Sequence, residues 1–265
     1  MPSSAPVGLF DSGVGGLSVL REIRAALPSE SVYYVADSAH APWGDKPPSF
    51  VRERGLKIAH FLVAEGVKAI VIGSNTGTAG SAEALRSDLD VPVVGIEPGI
   101  KPAVNATRSR VVGAIVPAAV GGSDRLASLL DRFSGDVEVI VQPVPGVVEH
   151  IEAADLDGPE LRRMVEGYVR PMLDAGADTI VLGSTHYVFL KPLLAEIAGD
   201  HVALIETGAA VARRLAQVLE ERGLRADAGA KARERFWTSG DAVTSTRVIS
   251  KLLGREVEVE VLPEL

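Results

Sequence analysis

The chain has 265 residues, of which 46% are hydrophobic and 23% charged, the composition of a soluble globular protein with enough length for one large domain or two ordinary ones. A net charge of −8 and a pI near 5.2 argue against a surface for nucleic acid or an anionic membrane, and no basic stripe offsets them. No apolar run approaches the roughly 18 residues of a bilayer span, and the lack of cysteine excludes disulfides, thiolate metal sites and thiol catalysis.

Residues 1–5 carry neither a basic start nor a signal-type apolar core, so a cytoplasmic location is the default expectation. Strand and helix patterns then alternate. Residues 7–10 predict a strand, 17–27 a helix of 3.6 periodicity, 32–35 a strand, 48–65 a helix, 69–72 a strand, 78–88 a helix and 92–96 a strand. The second half repeats the plan, with strands at 111–116, 137–142, 178–182 and 202–205 and helices at 123–134, 158–175, 191–197 and 208–222. The tail adds a strand at 235–238, a helix at 242–253 and an alternating strand at 257–262, read as an edge strand with its glutamates outward. Doubly apolar strands between amphipathic helices predict α/β lobes with mainly parallel sheets. The expected division is 1–100, 101–210 and a completing segment 211–265 that packs on the first lobe.

Ligands of open α/β sheets bind beyond the carboxyl ends of strands, and four polar motifs fall at such places. Asp11-Ser12-Gly13-Val14-Gly15-Gly16 follows the first strand and permits a tight turn before a helix N-terminus; its spacing is not G-x-G-x-x-G, and a structural glycine turn with an aspartate cap is the alternative. The loop Pro42-Trp43-Gly44 is a second candidate, against a proline-ordered turn with Trp43 packed on the surface. Gly73-Ser74-Asn75-Thr76 and Gly183-Ser184-Thr185-His186 share one context of buried strand, Gly, Ser and polar groups. Taken singly each is a polar strand cap; as a pair they suggest two half-sites. His186 is placed to assist proton transfer and Glu152 to adjust it, a solvated helix face being the alternative for Glu152. Neither serine lies in a G-x-S-x-G elbow. The five histidines form no tight ligand cluster, so no metal is expected, and His60 reads as a tolerated helix residue.

Together these residues resemble the glutamate racemase family of cofactor-independent aspartate/glutamate racemases. The resemblance runs from Val7 to about Leu219 through Phe10 to Leu17, Pro42-Trp43-Gly44, Ser74-Asn75-Thr76, Val94-Gly95-Ile96-Glu97-Pro98, Pro145-Gly146 and Leu182 to Tyr187. It implies two pseudo-symmetric lobes with the active site in the cleft, a homodimer, an acidic amino acid or related small carboxylate as substrate, a role in peptidoglycan and cell-wall synthesis, and neither metal nor pyridoxal phosphate. In that family one cysteine from each lobe flanks the substrate α-carbon, one removing the proton and one delivering it. The resemblance puts those roles on Ser74 and Ser184, with Asp11 and His186 beside them and Glu152 orienting His186. It gives Ser12, Pro42, Trp43, Gly44, Asn75, Thr76 and Thr185 to substrate binding.

The departures gather at the site. Both cysteines are serine, the expected Tyr after Pro42 is Trp43, the expected Pro after Tyr187 is Val188, a threonine-containing turn reads Pro117 to Gly122, and a further cysteine position is Val144. A thiol with a pKa near 8.5 is readily brought to thiolate, whereas a hydroxyl is several units weaker and each unit costs about 1.4 kcal/mol. Racemisation by Ser74 should therefore be slower by several powers of ten, unless Asp11 or His186 is itself the base. Three readings stand: a racemase scaffold that still binds an acidic amino acid, a superfamily enzyme of different chemistry such as an isomerase, decarboxylase or hydrolase, and a non-catalytic binding or regulatory protein.

Overall fold

The computed structural model describes residues 3–118 and 120–265, except the Arg125 side chain. Met1, Pro2 and Ala119, the last within the 117–122 turn, lie outside the described residues. In chain order come β1 (Val7–Asp11), α1 (Leu17–Ala26), β2 (Val32–Ala36), α2 (Pro48–Ala64), β3 (Ala69–Ile72), α3 (Asn75–Asp88) and β4 (Val93–Val94). Then follow α4 (Ile100–Ala106), β5 (Val111–Val116), α5 (Asp124–Phe133), β6 (Glu138–Pro143), α6 (Val147–Glu152), α7 (Pro159–Asp174), β7 (Thr179–Leu182), α8 (Lys191–Ala198) and β8 (Ala203–Ile205). The tail supplies α9 (Gly208–Glu221), β9 (Glu234–Thr238), α10 (Ala242–Leu253) and β10 (Val259–Val261).

The chain forms two compact units, Met1–Glu97 with Gly208–Leu265, and Pro98–Thr207. The first holds a six-stranded sheet in the order β10-β9-β2-β1-β3-β4, the second a four-stranded sheet β6-β5-β7-β8, and every pairing is parallel. Strands buried on both faces explain this architecture, since β1 and β3 expose none of their residues and need a helix layer on each side. On one face of the first sheet Phe10, Ile58, Leu62, Ile70, Ile72 and Leu85 form a core with α2 and α3. On the other, α1 turns Leu17, Leu20 and Ile23 inward and packs on α9, which buries Val211, Leu215 and Leu219. The second unit centres on Val112, Ala114, Val116 and Val181, covered by Ile100, Ala103 and Leu126. Each fully buried aliphatic side chain contributes about 1.5–3 kcal/mol of transfer free energy.

Four details differ from the sequence reading. The stretch between the strands expected at 92–96 and 111–116, for which the sequence predicts no element, contains α4, whose inward anchors Ile100 and Ala103 are too few to register as periodicity. The strand expected at 92–96 shrinks to Val93–Val94, because the Ile96 N–H leaves the ladder and donates to Thr78 Oγ1 at 3.0 Å. Helix α3 begins at Asn75 rather than near 78, since Ser74 supplies its N-cap. In β10 the expected alternation fails at its end: Val261 is 66% exposed, and Leu262, whose N–H donates to the Thr238 carbonyl, turns inward instead.

Candidate active site

Matching strand ends hold the two serines. In the first unit the Gly73 N–H extends the β3 ladder by donating to the Phe10 carbonyl at 2.8 Å, and a Cβ on Gly73 would sit 3.0 Å from the Gly16 Cα. In the second unit the Gly183 N–H donates to the Ile115 carbonyl at 2.8 Å, and a Cβ there would lie 2.6 Å from that same oxygen. Glycine is needed at both places because the neighbouring backbone fills the space of a side chain. Each glycine thus delivers the next residue, Ser74 or Ser184, just past the carboxyl end of a strand beside the sheet's central strand.

Beyond that point the two environments diverge. Ser74 Oγ accepts the Gly77 N–H at 3.2 Å and caps α3, so it stands at the positive end of that helix. Asn75 and Thr76, the first residues of α3, are half-buried beside it. Asp11 ends β1 and is 1% exposed; its carboxylate accepts the Ser12 and Gly16 N–H groups, both at 2.6 Å, and so fixes the 12–16 turn. Ser12 is itself buried, its hydroxyl 3.3 Å from the same carboxylate.

The Pro42-Trp43-Gly44 loop follows a cis Ala41–Pro42 bond and forms a single 3-10 turn, Trp43–Asp45. Trp43 is not a surface residue. Its ring is 1% exposed and packs on Phe10, and its indole N–H donates to Asp37 at 3.0 Å. The indole of this loop is therefore committed to the protein interior.

Asp37 was not singled out by the sequence. It lies one residue past the end of β2, is fully buried, and receives Arg54 through Nε at 3.0 Å and Nη2 at 2.6 Å, with His40 Nδ1 also at 3.0 Å. Burial by itself raises its pKa, but hydrogen bonds from Arg54 and Ser239 and the charges of Arg54 and His40 outweigh it and hold the carboxyl below the usual range. The available signal was an acid at the end of an apolar strand matched by an arginine inside the otherwise apolar inner face of α2.

In the second unit Ser184, Thr185 and His186 are all buried. Ser184 Oγ lies 3.3 Å from His186 Nδ1 and also accepts the His186 backbone N–H at 3.3 Å. On the far side of the ring, His186 Nε2 meets Glu152 Oε1 at 2.6 Å. Glu152 ends the short helix α6 after Gly146, whose φ of 84° turns the chain from β6 into that helix. Glu152 is therefore not a merely solvated helix residue. Tyr187, next to His186, is fully buried, and its hydroxyl has no hydrogen-bond partner among the described residues. Burial, then the charges of Glu149 and Tyr168, push its pKa up. His60, by contrast, is an exposed residue of α2 paired with Asp88 at 2.7 Å.

Among the described residues no group of three His, Cys, Asp or Glu side chains has the arrangement of a metal site, and no helix is long and apolar enough to cross a membrane. Residues 14–215 match the family model for Asp/Glu/Hydantoin racemase. A glutamate racemase of Ectopseudomonas mendocina is 52% identical over 260 residues, 98% of each chain. The chain belongs to the glutamate racemase family. Its fold is similar to that of Escherichia coli glutamate racemase in complex with L-glutamate and the activator UDP-MurNAc-ala, with a TM-score of 0.87, 31% identity, and 98% of this chain and 99% of that one covered. It is also similar to the Francisella tularensis enzyme in complex with D-glutamate, with a TM-score of 0.82, 26% identity and 98% of each chain covered.

Proposed function

We propose that this chain binds L- and D-glutamate as a glutamate racemase does and exchanges the α-proton only very slowly, with Ser74 and Ser184 standing where the two proton-transfer groups belong. The observation that supports this reading most is the pair of matched Gly–Ser strand ends, which offer one hydroxyl in each unit at equivalent positions. Relatives whose structures hold L-glutamate and D-glutamate support the substrate class. Ser12, Asn75, Thr76, Thr185 and the backbone of Pro42, Trp43 and Gly44 are assigned to holding the amino acid, and Asp11 to assisting proton transfer beside Ser74. His186, oriented by Glu152, is assigned to proton transfer beside Ser184. As the resemblance implies, the working form is a homodimer.

The low rate follows from acid strength. Removing an α-proton requires an ionised base, and a serine alkoxide is several pKa units less accessible than a thiolate, at about 1.4 kcal/mol per unit. The N-cap position of residue 74 would stabilise a thiolate, because the Gly77 N–H and the helix dipole both favour an anion there. The test is glutamate binding by calorimetry together with α-proton exchange in deuterated water, read by mass. The unaltered chain should bind both enantiomers with barely detectable exchange, and the double replacement Ser74→Cys with Ser184→Cys should raise exchange by several powers of ten. Racemisation by the unaltered chain at an ordinary enzymatic rate, or no rise on restoring both thiols, would refute the reading.

A further inference from the structure

A hydroxyl that is a poor base for a carbon acid is an adequate nucleophile when a neighbouring base takes its proton as the new bond forms, since free alkoxide is then never required. Ser184 has such a neighbour. Glu152 Oε1 at 2.6 Å from His186 Nε2 fixes the tautomer that carries its proton on Nε2, and leaves the Nδ1 lone pair facing the Ser184 hydroxyl at 3.3 Å. The His186 backbone N–H, donating to Ser184 Oγ, turns the hydroxyl proton toward Nδ1. Nucleophile, base and orienting carboxylate thus stand in one hydrogen-bonded line, the constellation that recurs on unrelated folds as a serine hydrolase triad. Its members come from the end of β7, the turn after it and the end of α6.

An acyl-transfer site also needs a donor for the developing oxyanion. The backbone N–H of Thr185, immediately after the nucleophile, donates to no acceptor among the described residues. That is the position from which an α/β-hydrolase nucleophile turn supplies one of its oxyanion donors.

We propose that Ser184, His186 and Glu152 form a serine acyl-transfer relay able to cleave small carboxylic esters. The Ser184 Oγ–acyl carbon bond forms while its proton passes to His186 Nδ1. That proton then goes to the departing alkoxide as the ester C–O bond breaks. Water attacks the acyl-serine next, giving its proton to Nδ1, and the proton returns to Ser184 Oγ as the acid leaves. Glu152 is a positioning residue that also stabilises the imidazolium. This activity is separate from glutamate binding, so either can fail while the other stands.

The probe is a small alkyl phosphonofluoridate, whose phosphorus is attacked by an activated serine hydroxyl with loss of fluoride. Incubated with the unaltered full chain and mapped by peptide mass, it should give one principal adduct, on Ser184. His186→Asn should slow that labelling by about 100-fold, the scale of general-base catalysis, and Glu152→Gln should give an intermediate loss, with thermal melts confirming that both variants fold. Hydrolysis of 4-nitrophenyl acetate should show a burst that Ser184→Ala abolishes. No adduct, a principal adduct on another residue, or undiminished labelling of folded His186→Asn would overturn the proposal.

Discussion

Ser74 and Ser184 stand on the same architectural device, a glycine bonded to a central strand, yet their hydroxyls do different work. That of Ser74 is spent on the backbone, closing the first turn of α3 through Gly77. That of Ser184 is held against an imidazole whose other nitrogen meets a carboxylate. Pseudo-symmetry of strands therefore does not carry over to the surroundings of the hydroxyls: one serine caps a helix and the other touches a histidine held by a carboxylate. The contrast extends beyond the serines. The first unit buries formal charge, with Lys68 Nζ on Glu30 at 2.6 Å and Arg54 on Asp37, whereas ion pairs of the second such as Arg162–Glu196 and Arg170–Glu166 lie exposed.

The largest test of that contrast is Lys68→Ala. It leaves Glu30, 1% exposed, with its charge uncompensated, and should cost 3–5 kcal/mol in urea unfolding, a magnitude typical of a broken buried pair. Replacing an exposed pair of the second unit, as in Arg170→Ala, should cost no more than about 0.5 kcal/mol.

Asp37→Asn should cost about 3 kcal/mol at neutral pH for the same reason, and here the pH dependence has a definite sign. The folded-state pKa of Asp37 is depressed, so its contribution is fully present above the unfolded value near 3.9 and is lost as pH falls through the folded one. The gap between the two proteins, followed by denaturant melts, should accordingly hold from pH 7 to about 5 and narrow below about 4. Asp178 behaves alike: hydrogen bonds from Thr107 and the Ser109 and Arg108 N–H groups outweigh partial burial and depress its pKa, so the second unit also loses support in acid.

Smaller effects separate the two serine neighbourhoods. Tyr187→Phe removes a buried hydroxyl that has no partner among the described residues, and should raise stability by about 1 kcal/mol. Ser74→Ala should lower it by about 1 kcal/mol through loss of the N-cap. Ser184→Ala leaves the buried His186 N–H and Nδ1 without the hydroxyl they meet, and should cost about 1–3 kcal/mol. No loss at Ser184 would show that its hydroxyl is not engaged with His186.

Much of this was legible in the chain. Parallel sheets followed from strands without a polar face, such as residues 69–72, and the paired sites from the repeated Gly–Ser after such strands. Two kinds of feature were not. Short helices α4 and α6 lack the turns that make periodicity visible, so the element that carries Glu152 to His186 left no more than a loop-to-helix hint. The Asp37–Arg54–Trp43 cluster depends on partners 17 and 6 residues away that only folding brings to one point, and a buried tryptophan looks the same in sequence as a surface one.

Strands β9 and β10 extend the first sheet through pairing of β2 with β9, although all of Pro98–Thr207 lies between them in the chain. A ribosome therefore releases the entire second unit while the first still presents β2 as an open edge with unpaired backbone groups. The later unit can close around its core first, and the earlier one waits for its last strands, exposed to wrong pairing through the interval. Truncation within the final 30 or so residues should thus harm the unit made first.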